Sequence, residues 1–189
     1  MESDQQKVLA FWFEEIDQSD WYVADPALDQ TIRQRFLGLW ETAWEGGLQD
    51  WLTTPEGTLA YLIVTDQFSR NMFRGDARSF ATDEAARFAA RMAIVKGFDL
   101  ALEEPKRIFF YMPFEHSEDP ADQHWSVMLI EERIQSREFY RHALAHREVI
   151  RRFGRFPYRN QALGRQSTEA EEAFLAAGGY GSVTRELAG

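Results

Sequence analysis

Three times the chain writes the same helix-opening signal, a capping residue followed at once by proline: Asp25–Pro26, Thr54–Pro55 and Asp119–Pro120. The capping oxygen satisfies backbone N–H groups that a first helical turn leaves unpaired. Proline there gives up nothing, because its missing N–H would have had no intrahelical partner. Apolar residues at helical spacing follow each signal. After Asp25–Pro26 the stripe is Leu28, Ile32, Phe36, Leu39/Trp40 and Ala43, stopped at Gly46–Gly47. No segment of comparable length alternates apolar and polar residues as a half-buried strand requires. The expected fold class is all-α.

The other helices follow from the same logic. One is expected over Gln5–Ile16, one from Thr54–Pro55 to Phe73, and one from a Thr82 cap to Gly97 with Ala85, Phe88, Ala89, Met92 and Val95 inward. Pro105 is read as opening a helix to Met112, Asp119–Pro120 one to Gln135, and a further helix covers Glu138–Phe153. Thr168 with Glu171 three residues on makes a capping box for a short last helix, ended by Gly178–Gly179. About seven or eight helices with short connections imply antiparallel neighbours stacked as helical hairpins. No Pro/Ser/Gly linker interrupts them, so residues 1–189 are expected to form a single helical domain, with 177–189 a loose C-terminal tail.

Composition removes several function classes. A chain that is 44% hydrophobic with 15 Phe, 6 Trp and 6 Tyr is not disordered. It has no Cys, hence no disulfide, zinc–thiolate site or thiol nucleophile. The beginning MESDQQKVLAFWFEEI is acidic where a signal peptide needs basic residues, and the apolar runs Leu59–Val64 and Ile108–Phe114 fall far short of the roughly 20 residues that cross a bilayer. A cytoplasmic location without membrane contact is expected. The net charge of −10 speaks against nucleic acid as a partner, but it hides a dipole: Arg133–Arg165 holds nine Arg against two Glu, or +7, leaving −17 elsewhere. Eighteen of the 21 basic residues are Arg, whose planar fork suits a carboxylate or phosphate, within the protein or on a ligand.

Against that background three clusters of polar residues stand out. The helix after Pro55 is apolar nearly all round from Leu59 to Val64, and its stripe then runs into Asp66 and Arg70. The two are four residues apart with the acid first, the favourable order for a pair on one face. Either they satisfy each other as a buried ion pair, or Arg70 and Asn71 present donors to a ligand while Asp66 orients them. The stripe Phe139, Ala143, His146, Ile150, Phe153 places His146 at a core position, with His142 one turn earlier and Arg147, Arg151, Arg152, Arg155 and Arg159 around or after it. Between these, Pro113 is expected to break a helix, and the loop Glu115-His116-Ser117-Glu118 leads to the Asp119 cap.

These clusters, in this order, resemble a bacterial family catalogued as domain of unknown function 924. The resemblance runs from Val8-Leu9-Ala10-Phe11-Trp12-Phe13 through Asp66-Gln67-Phe68-Ser69-Arg70-Asn71, Pro113-Phe114-Glu115-His116-Ser117-Glu118 and His146-Arg147. It continues through Arg152-Phe153-Gly154-Arg155-Phe156-Pro157-Tyr158-Arg159-Asn160 to Leu163-Gly164-Arg165-Gln166-Ser167-Thr168. Ser69 stands where the family usually has Pro, and Tyr158 where it usually has His, which removes a potential ligand or acid–base group. The resemblance implies a tetratricopeptide-like arrangement of helical hairpins and carries no established activity.

Function is therefore read from residues. The first expectation is a site for a small anionic ligand between helices, lined by Asp66, Arg70, Asn71, Arg74, His116, Glu118, His146, Arg147, Arg152, Arg155 and Asn160. His116, His146 and Asp66 are the candidates for acid–base work, with enzyme status left open. The alternative is a helical scaffold holding an acidic or C-terminal peptide segment in a concave groove. A metal site from Asp66, His116, Glu118 and His146 lacks ligand spacing, no phosphate loop or dinucleotide fingerprint is present, and neither metal nor cofactor is expected. The sequence does not specify an oligomeric state.

Overall fold

The computed structural model describes residues 2–188, and every regular element among them is helical. They form two compact units, Met1–Phe110 and Tyr111–Gly189.

In the first unit, α1 (Asp4–Ala10) starts at a capping box between Ser3 and Gln6, then continues as a π-wound turn over Phe11–Glu15. Helix α2 (Pro26–Trp44) starts at the expected Asp25 cap and buries Ile32, Phe36, Trp40 and Ala43. Helix α3 (Pro55–Leu62), capped by Thr54, runs without a break into a π-wound stretch, Ile63–Phe68, and then into α4 (Ser69–Met72). The single helix expected from Pro55 to Phe73 is thus one rod with a widened middle. Every residue from Gly57 to Ser69 is buried. Side-chain hydroxyls add donors where the winding changes: Thr65 donates to the Tyr61 carbonyl at 2.7 Å and Ser69 to the Thr65 carbonyl at 3.0 Å. Around this rod the aromatic rings interlock, with Phe36 stacked on Phe68 at 4.7 Å and Trp21 set edge-on to Phe109 at 5.0 Å.

Three expectations in this unit are corrected. Helix α5 (Asp83–Val95) faces inward with Ala86, Ala89, Ala90 and Ala93, while Phe88, Met92 and Val95 are 63%, 41% and 74% exposed. Of the residues expected inward, Ala89 alone is buried and Ala85 is half-buried. Alanines let the helix approach its neighbours more closely than large side chains allow. Thr82 holds the N-cap position of α5 but makes no capping bond. Its hydroxyl donates to the Thr65 carbonyl at 2.5 Å and accepts from Trp40 Nε1 at 3.3 Å. Pro105 does not open an α-helix: Lys106–Phe110 is a 3-10 turn that buries Ile108, Phe109 and Phe110 in succession, leaving no polar face of the kind a surface helix carries.

In the second unit, Pro113 lies within the first turn of the short α6 (Met112–Glu115), which it helps to start rather than break. Helix α7 (Pro120–Arg133), capped by Asp119, and α8 (Arg137–Phe153), capped by Ser136, lie against each other as a helical hairpin. Gly154 ends α8 in the left-handed conformation, at φ 69°, where a side chain would be strained. Helix α9 (Glu169–Ala176) has the expected Thr168–Glu171 capping box. The loose tail expected over 177–189 is instead a helix, α10 (Tyr180–Glu186), with residue 189 outside the described residues. Val183 is fully buried with Ala145, Val149, Ile150, Phe156 and Phe174, and this apolar contact holds the segment down. No helix among the described residues is long and apolar enough to cross a membrane.

Candidate functional site

The expected site residues fall into two sets, one in each unit. In the first, Asp66 and Arg70 do pair, at 3.1 Å, and the guanidinium also meets Asp83 at 3.0 Å and the Asp66 carbonyl at 2.7 Å. Asp66 takes a further hydrogen bond from the Gln67 amide at 2.6 Å. Asn71 and Arg74 converge on one carboxylate, Asp29 of α2: the amide reaches it at 2.8 Å and the guanidinium grips it with two bonds, at 2.8 and 2.9 Å. Each cation of this set faces a carboxylate of its own unit. Two buried carboxylates against one arginine form a structural clamp.

In the second unit Glu118 accepts two bonds from Arg165, at 2.7 and 3.0 Å, and one from the backbone N–H of Phe156 at 2.8 Å. Burial pushes this carboxyl up, but the Arg165 and Phe156 hydrogen bonds outweigh burial and hold it below the usual range. Arg155 grips Glu171 through two bonds, at 2.6 and 2.8 Å, and with the Thr168 N–H holds that carboxyl at about 2. Asn160, buried beside them, donates to Ser167 at 3.0 Å. Arg152 bridges Glu148 and Glu186, at 2.7 Å to each, and Arg151 and Arg152 hold Glu148 at about 2. Most of the basic segment is therefore neutralised inside the fold.

What is left is a histidine cluster. Gln123 of α7, fully buried, donates its amide to the carbonyls of Phe114, Glu115 and Ser117 at 3.3, 2.6 and 2.7 Å, pinning the loop that carries Glu115 and His116. Glu115, 4% exposed, lies with its carboxylate 3.4 Å from His146 Nδ1. The same nitrogen is 2.9 Å from the carbonyl of His142 and 3.4 Å from the Tyr180 hydroxyl. Tyr180, from α10, also meets His142 Nδ1 at 2.6 Å. The His116 ring stands edge-on to His146 at 5.8 Å, and Phe156 closes another side at 5.8 Å. A carbonyl and a carboxylate can only accept, so the proton of neutral His146 resides on Nδ1. Its Nε2 has no hydrogen-bond partner among the described residues, and the side chain keeps 15% of its surface open. Burial, then the neighbouring His146, lower the pKa of His142, which keeps that ring neutral.

The structure thus brings His116 and His146 together and gives Glu118, Arg152, Arg155 and Asn160 to separate networks. Arg147 lies beside His146 in the chain, half-buried. Among the described residues no group of three or more His, Asp or Glu is placed to hold an ion. Reading the sequence missed Glu115, His142 and Tyr180 as members of the cluster, and Asp29, Asp83, Glu171 and Arg165 as partners. Glu115 and His142 were visible as neighbours of His116 and His146. Tyr180 carried no signal, because it follows the Gly178–Gly179 pair that reads as a stop.

Comparison with known proteins agrees with this fold and adds no activity. No curated protein matches the chain. The structure of a protein of unknown function, ATU0120 from Agrobacterium tumefaciens, matches with a TM-score of 0.86 at 38% identity, over 90% of this chain and 96% of that one. A family model described as bacterial protein of unknown function (DUF924) matches residues 8–179. The chain, all-helical and matched over nearly its whole length, belongs to that bacterial family.

Proposed function

We propose that residues 111–189 bind a small anionic molecule at His146. One observation carries this reading: His146 has its Nδ1 committed and its Nε2 without a hydrogen-bond partner among the described residues, on a side chain that is not fully buried. A protonated ring would donate from Nε2 to a carboxylate or phosphate while Nδ1 keeps its contacts with the His142 carbonyl and Glu115. The sign is supported by two arginines of α8, Arg141 and Arg147, that meet no carboxylate at ion-pair distance among the described residues, unlike Arg151, Arg152, Arg155 and Arg165. Arg141 also leaves its buried Nε without a partner.

The test is a thermal-shift panel of small carboxylates and phosphates at low ionic strength, on wild type, His146→Gln and Arg147→Ala. At least one anion should raise the wild-type midpoint, and His146→Gln should abolish the rise with its own midpoint little changed. Arg147→Ala should reduce it. If no anion stabilises wild type, or if His146→Gln responds as wild type does, the reading fails.

A further inference from the structure

We propose that His146 is a proton-transfer residue, with Nε2 as the atom that takes and returns the proton and Glu115 as a positioning residue. This rests on the binding site just described and adds a chemical role to it. The class of molecule implied is a small anion that also carries an ionisable O–H.

Three features of the cluster suit this role. The first is a fixed tautomer: the His142 carbonyl at 2.9 Å and the Glu115 carboxylate at 3.4 Å both demand a proton on Nδ1, so the lone pair lies on Nε2. Secondly, charge is provided for. When an O–H proton moves to Nε2 the ring becomes an imidazolium, and Glu115, at 4% exposure, is a carboxylate shielded from water beside it. The ligand oxygen keeps the electron pair of the broken O–H bond and then accepts from the new Nε2–H, which is the contact that holds the anion, and the reverse transfer restores the neutral ring. Lastly, the ring is held on several sides. Tyr180 packs on it at 4.6 Å, Phe156 and His116 stand edge-on, and Gln123 fixes the loop bearing Glu115. A histidine kept only for packing needs no buried carboxylate at one nitrogen and an open lone pair at the other.

The Asp66–Arg70–Asp83 cluster, the other buried polar group of note, offers no such asymmetry, because its cation is engaged by two carboxylates.

The test needs no ligand. Long-range nitrogen–proton correlation spectra of the full chain, recorded where histidines are neutral, should show His146 with Nδ1 protonated and Nε2 bare. Diethylpyrocarbonate then probes the lone pair: Nε2 attacks its carbonyl carbon, the anhydride C–O bond breaks, and the leaving ethyl carbonate takes up the proton that Nδ1 releases and decomposes to carbon dioxide and ethanol. Mapped by mass spectrometry, His146 should carry the adduct, alongside His124, which is exposed on α7. A His146 protonated on Nε2, or one left unmodified when the exposed His124 has fully reacted, overturns the proposal. The tautomer and reactivity found without any stabilising anion would refute the anion site and leave proton transfer standing. The converse pattern would do the opposite.

Discussion

Residues 63–73 and residues 139–153 face the same difficulty, polar groups set on a stripe that must be buried, and they resolve it in opposite ways. In the first stretch the answer is closure. Arg70 serves two carboxylates, Asp66 accepts from Gln67, and Asn71 and Arg74 share Asp29, so donors and acceptors find each other within the unit. In the second stretch the answer is asymmetry. His146 is tied at one nitrogen and left open at the other. Buried polarity by itself therefore says little about function. What distinguishes a clamp from a candidate site is whether the network has a loose end.

The comparison can be broken most decisively at Arg70. Replacing it by Met leaves Asp66 and Asp83 as buried carboxylates without their arginine, and should cost about 3–5 kcal/mol in denaturant unfolding. A change near zero would mean that this network is not closed in the sense described.

Acid should next reveal the carboxylates of the second unit. Glu148 and Glu171 are held at about 2 by their arginines, below the usual value near 4.5, and Glu118 is lowered as well. Because the folded state binds these protons less readily, the stabilisation is complete above about pH 4.5 and is lost as pH falls toward 2. Unfolding midpoints across that window should fall steeply for wild type and less steeply for Glu171→Gln. Equal slopes would refute the assignment.

Replacing His146 by Gln should cost no more than about 1.5 kcal/mol, the scale of one hydrogen bond, while removing any stabilisation by anions. A loss as large as that at Arg70 would make the histidine a structural member like the clamp. The smallest effect is expected on the outer face of α5, where Phe88→Ser should change stability by no more than about 0.5 kcal/mol because the ring already lies in solvent. A larger loss would restore the inward orientation that the sequence suggests.

How much of this is legible in the sequence depends on the range of the interaction. Caps are local, and Asp25, Thr54, Asp119 and Thr168 all open helices as their spacing indicates. The face of α5 is not local. Its sequence carries two apolar stripes, one of alanines and one of large residues, and hydrophobicity favours the second where close packing selects the first. The π-wound stretches escape because apolar periodicity is read at the α-helical repeat. Tyr180 and Val183 escape because a short segment after two glycines gives no sign of what will cover it. In the candidate site His146 is legible as an anomaly on its own helix. Its openness is not, since that depends on Glu115, His142 and Tyr180 taking up one nitrogen and none taking the other.

The widened winding of Ile63–Phe68 has a consequence for how the chain tolerates change. A π-turn is an α-helix that has accommodated one extra residue, so everything beyond it is rotated by about 100° relative to an uninterrupted rod. Tightening the same residues into uninterrupted α-winding would swing Ser69, Arg70 and Asn71 to a different face, away from Asp83 and Asp29. Removing one residue as the winding tightens would leave them where they are. The stretch therefore holds a residue of slack, and a one-residue deletion there should be milder than the same deletion in α2, where no widened turn takes up the change.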